Sequence, residues 1–143
     1  MGSTRGLSGV GIVLGRIMLA LLFLVSALGM AGNFQSVAAD MAGRGIPWPE
    51  IALALTILLW LCGGACLLLG WKSRPAATVL FLAMIPITLA FHAPWTATPE
   101  EFQNQMNHFL MNLAIMGGLL LVAGFGAGPL SLDQRRNMRA GRG

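Results

Sequence analysis

Charge is what this sequence has least of. Asp, Glu, Lys and Arg make up 10% of its 143 residues, where a soluble domain carries about 25%. So little charge excludes an ordinary water-soluble globule. Cysteine is rare too: Cys62 and Cys66 are the only two, so this is not a disulfide scaffold. Paired carboxylates, a Ser-His-Asp arrangement and a phosphate loop are all missing. Gly124-Phe125-Gly126-Ala127-Gly128 leaves an apolar helix instead of following a strand, so it is not a nucleotide fingerprint. No repeat or low-complexity segment stands out. The net charge of +4 is spread over loops and tails, which excludes nucleic acid as a partner.

What is there is hydrophobicity: 56% of residues, with a mean hydropathy of +0.74. A bilayer core about 30 Å thick needs about 20 apolar residues as helix. Four stretches qualify, at about 9–31, 51–71, 76–92 and 105–127. The expected fold is all-α, an integral membrane four-helix bundle formed by a single domain over 1–143, with the bilayer as its first partner. Pro86 predicts a kink in the third span. Between the first two spans, Phe34, Val37, Ala38 and Met41 have helical spacing, which predicts a short interfacial helix. Pro75 suits the first position of the third span. Val37-Ala38-Ala39 resembles a signal-peptide cleavage site, but the preceding apolar run is long and contains Arg16, so the first helix is expected to stay.

Basic residues set the expected topology. Arg5, Lys72, Arg74, Arg135, Arg136, Arg139 and Arg142 fall on one side, and only Arg44 on the other. By the positive-inside rule both termini, including the basic tail 130–143, are cytoplasmic. Asp40, Glu50, Glu100 and Glu101 then lie outside.

The order of short motifs resembles the DoxX family of small bacterial four-helix membrane proteins. Gly15-Arg16 opens the first helix, ahead of the run at Phe23, and Gly45-Ile46-Pro47 precedes the second. Gly63-Gly64 leads to Leu67-Leu68-Leu69-Gly70, and Arg74-Pro75-Ala76-Ala77 enters the third helix, which His92 closes. Asn112-Leu113-Ala114, Gly117-Gly118 and Ser131-Leu132-Asp133 complete the fourth. The resemblance spans about Leu14 to Asp133. It implies a bacterial inner-membrane location and a link to membrane redox systems, thiosulfate:quinone oxidoreductase among them. Family members often carry a lysine after the first helix and an acid within the second. Here those stretches read Ala27-Leu28-Gly29-Met30-Ala31 and Leu59-Trp60-Leu61.

Candidate sites follow from polar residues in apolar surroundings. Asn104, His108 and Asn112 are spaced by four on the fourth helix, and the short connection places His92 opposite them. Imidazoles with amide partners suit hydrogen bonds to quinone carbonyls and proton exchange. The plainer alternative is interfacial histidines and helix-tying asparagines. Glu100 or Glu101 could add a metal ligand, but the spacing matches no metal motif, so no metal is assigned. Arg16 must snorkel, cap carbonyls at a helix C-terminus or pair, with Asp133 as the expected partner; both read as structural charges. Cys62 and Cys66, deep in apolar surroundings, read as packing residues. The function this supports is a component of a quinone-linked or oxidative-stress redox system, working with other membrane subunits. The alternative is a noncatalytic subunit that anchors a larger complex. A carrier for a small molecule is the less favoured third reading, because charge is missing from the middle of the last three spans, which argues against ion coupling.

Overall fold

The computed structural model of the chain describes residues 3–140, so Arg142 of the basic tail lies outside the described residues. Six α-helices follow one another: α1 (Ser3–Gly32), α2 (Phe34–Gly43), α3 (Pro49–Leu69), α4 (Ser73–Phe91), α5 (Pro99–Phe125) and α6 (Leu132–Ala140). A 3-10 turn, Pro94–Thr96, joins α4 to α5. Four of these helices are long and apolar enough to cross a membrane, and α2 is the short helix between the first two. The fold is therefore all-α, as the hydropathy pattern requires. α5 begins at Pro99, ahead of the apolar stretch 105–127, because Pro99 and two acids suit a helix start.

The core is built from small and large residues in alternation. Ala20, Phe23 and Ala27 of α1 meet Trp60 and Leu67 of α3. The Phe23 and Trp60 rings stand edge to face, with centroids 5.2 Å apart. Ala77, Leu80 and Met84 of α4 and Met116, Leu119 and Val122 of α5 complete this core. Gly63 and Gly64 let α3 sit close to its neighbours: a Cβ at Gly63 would lie 2.7 Å from Leu80, and one at Gly64 2.9 Å from Leu24. A smaller cluster of Ala38, Met41 and Leu53 seats α2 on α3, which accounts for the apolar spacing in the first loop.

The helix directions put Lys72, Arg74, Arg135 and Arg136 at one end, the basic end. Asp40, Arg44, His92 and His108 lie at the other, the histidine end. A polar knot holds the basic end together. Arg16, 3% exposed, donates from Nη1 to the Ala127 carbonyl at 2.7 Å and from Nη2 to the Leu130 carbonyl at 3.2 Å. Asp133 does not pair with Arg16. Its Oδ1 accepts from the Lys72 amide at 2.7 Å and its Oδ2 from the Ser73 amide at 2.9 Å. The expected ion pair is replaced by carbonyl capping on one side and amide capping on the other. This capping also corrects the expected start of the third span: α4 begins at Ser73, two residues before Pro75, because Asp133 satisfies its first amides. Ser131 starts α6 by a local rule, accepting from the Gln134 amide at 3.1 Å.

Candidate functional site

The histidine end brings His92 and His108 together. His92 is the C-cap of α4, held by its amide to the Thr88 carbonyl at 2.9 Å. His108 lies on α5 across the short connection. The two rings stack, with centroids 5.0 Å apart and planes 24° apart. His92 is half-buried and His108 exposed, so His108 lies over the inner ring.

One turn further in, the same two helices make a second polar contact. Asn112 Nδ2 donates to Thr88 Oγ1 at 3.1 Å. Thr88 is four residues before His92, and Asn112 four after His108, so antiparallel helices stack the contacts as two rungs. Thr88 is 2% exposed, so the inner rung is a protein-facing hydrogen bond. Asn104 lies one turn beyond His108, is exposed, and enters neither rung. Of the four ligand candidates read from the sequence, three therefore lie along the α4–α5 contact.

Two further residues belong to this end. Gln105, on the His108 face of α5, is half-buried beside His92. His92 Nδ1 and Gln105 Oε1 are both buried without a hydrogen-bond partner of good geometry. Arg44, the C-cap of α2, lies over the Phe91 ring at 4.8 Å, pairs with Asp40 at 3.0 Å and reaches the Ala90 carbonyl at 3.4 Å. Spacing could have found Gln105, three before His108, and Thr88, four before His92. The spread of basic residues places Arg44 at this end, but nothing in the sequence predicts its contact with α4, which spans 46 residues.

The arrangement offers donors and acceptors that can exchange protons, beside a guanidinium. Among the described residues no three His, Cys, Asp or Glu side chains converge on a common point. Cys62 and Cys66 are free thiols on α3, away from the rungs.

Comparison with known proteins agrees with this fold. The sequence profile of the DoxX family matches residues 11–93. Inner membrane protein YphA of Escherichia coli strain K12 is 27% identical over 124 residues, covering 87% of this chain and 89% of that protein. Inner membrane protein YqjF of the same organism is 32% identical over 137 residues, covering 94% and 98%. ER-derived vesicles protein ERV29 of Saccharomyces cerevisiae is 31% identical over 83 residues, 58% of this chain but 27% of that protein. No solved structure matches. Four apolar helices and likeness to two inner membrane proteins make this a multi-pass inner membrane protein. The chain belongs to the DoxX family.

Proposed function

We propose that this chain is the lipophilic-ligand-binding component of an inner-membrane redox system, taking a quinone-type headgroup at the histidine end. The observation that supports it most is the stacked histidine pair, with His92 Nδ1 buried beneath the His108 ring and beside the Gln105 side chain, to which it makes no hydrogen bond of good geometry. A poorly aligned imidazole–amide contact at the edge of an apolar bundle suits a ligand with two carbonyls and an apolar tail. His92 and His108 are the proton-exchanging contacts, Gln105 orients the ring, and the Asn112–Thr88 rung holds the helices that carry them. Asn104, at the mouth, contacts the ligand as it enters. Reduction of a quinone to a quinol takes two electrons and two protons. The imidazoles relay the protons, and a partner membrane subunit supplies the electrons. With both termini cytoplasmic, as the distribution of basic residues favours, these protons exchange with the outer side.

The test is purification from native membranes in mild detergent, followed by extraction and quantification of quinone. Wild-type protein is expected to carry quinone, and His92→Ala and His108→Ala to lose most of it. Wild-type protein without quinone, or variants that retain it fully, would overturn the proposal. Co-purifying proteins without quinone would favour a noncatalytic subunit.

A further inference from the structure

Two cavities meet at Gly126, at the opposite end of the molecule, and this region is independent of the histidine site. We propose that together they hold one anionic phospholipid from the leaflet on the basic side, with an acyl chain in one and the phosphate in the other.

The first is an apolar groove of about 720 Å³ between α1 and α5, bordered by Gly11, Gly15, Met18, Leu22, Gly118 and Phe125. Its depth comes from missing side chains: a Cβ at Gly11 or Gly15 would meet nothing within 4 Å. The second is a cavity of about 560 Å³ at the basic end, lined by Lys72, Arg74 and Arg136 together with Ser131 and Asp133. Phe125 and Gly126 border both, so the groove and the basic cavity adjoin at this point. Arg74 sits at the junction, its Nε 3.2 Å from where a Gly126 Cβ would stand.

The charge at this junction points to an anion. The Asp133 carboxylate is occupied by the Lys72 and Ser73 amides. Among the described residues, Arg74, Arg136 and Lys72 form no salt bridge; Arg136 lies near Asp133 and Lys72 Nζ sits 5.3 Å over the Trp71 ring, which leaves three cations to one carboxylate in this cavity. A free phosphate would answer these cations and leave the groove empty. An apolar helix from a second protein would fill the groove and leave the excess positive charge unanswered. A phospholipid with a net negative headgroup does both, with its phosphate at the depth where basic residues attract anionic lipid.

The full chain, purified in mild detergent, is tested by native mass spectrometry with added phosphatidylglycerol, phosphatidylcholine or inorganic phosphate. Wild-type protein is expected to retain one phosphatidylglycerol in clear preference to phosphatidylcholine. Removing one cation by Arg74→Gln should weaken that retention about fivefold, and Arg74→Gln with Arg136→Gln about twentyfold, with phosphatidylcholine unaffected. Gly15→Leu fills the groove in open space and should displace both lipids while the protein keeps its helical content. Equal retention of the two lipids, or an unchanged preference in the double variant, overturns the proposal. So does competition by equimolar inorganic phosphate, which would assign the basic cavity to a free anion. A wild-type dimer that Gly15→Leu separates, with lipid retention unchanged, would assign the groove to a second copy and equally overturn it.

Discussion

Asp133 caps the helix that Ser73 begins, although sixty residues separate them: its Oδ2 accepts the Ser73 amide at 2.9 Å. Lys72, at the N-cap position of α4, offers no side-chain cap of its own. Asp133→Ala should therefore cost about 0.5–2 kcal/mol, the usual range for a lost N-cap. Asp133→Asn keeps one acceptor oxygen and should fall between alanine and wild type. Thermal unfolding in detergent measures both, and an alanine variant that melts like wild type contradicts the capping role.

The same carboxylate gives stability a pH dependence. Burial pushes the Asp133 carboxyl up, but hydrogen bonds from the Ser73 and Lys72 amides pull it further down, leaving it below its ordinary value. A carboxylate depressed in the folded state adds stability that is complete above its ordinary value of about 4. That stability is lost as pH falls through the folded value. The difference in unfolding midpoint between wild type and Asp133→Asn should be constant from about pH 5 to 7 and shrink below about pH 4. A gap that stays constant into that acid range contradicts the assignment.

Gly70 lies under the knot that Arg16 makes. It has φ +64, and a Cβ there would lie 2.5 Å from Ser131 Cβ and 2.6 Å from Arg16 Nη1. Gly70→Ala should destabilise by more than about 1 kcal/mol, since strain and displacement of Arg16 add together. Gly29→Ala is the control: it lies within α1, its Cβ would meet nothing within 4 Å, and it should be neutral or stabilising. Equal melting temperatures for the two variants would show that the knot does not constrain the fold.

Cys62 and Cys66 are spaced by four on α3 and unpaired, with no polar group of the rungs beside them. Cys62→Ala with Cys66→Ala should leave quinone content unchanged in the purified protein. Loss of quinone in that variant would move the redox site to α3.

The spans and the interfacial helix were legible because each rests on local periodicity. The α2 spacing at Phe34, Val37, Ala38 and Met41 buries Ala38 and Met41. The antiparallel neighbouring of α4 and α5 was legible because their connection is short, whereas the stacking of His92 on His108 is set by the packing of the two helices. Carbonyl capping by Arg16 at a helix C-terminus was legible as one of its three options, but which carbonyls it takes, and the amide partners of Asp133, were not, because a carbonyl or amide carries no residue identity. Opposite charges suggested an ion pair, whereas unsatisfied helix ends on both sides took precedence. The start of α6 was legible in principle: Ser131 and Gln134 have capping-box spacing, which the basic character of the tail obscured. Gln105 was not legible as a site residue, because apolar and polar positions alternate unevenly in the first turns of α5.

The central claim is that the imidazole pair, at 5.0 Å, forms the quinone contact. The most direct measurement is the molar ratio of quinone to protein after native purification, for wild type, His92→Ala, His108→Ala and the neighbouring variant Asn104→Ala. The expected result is a ratio near one for wild type, a loss of about tenfold in either histidine variant, equivalent to about 1.4 kcal/mol, and a smaller loss at the exposed Asn104. Equal ratios in wild type and both histidine variants would contradict the account.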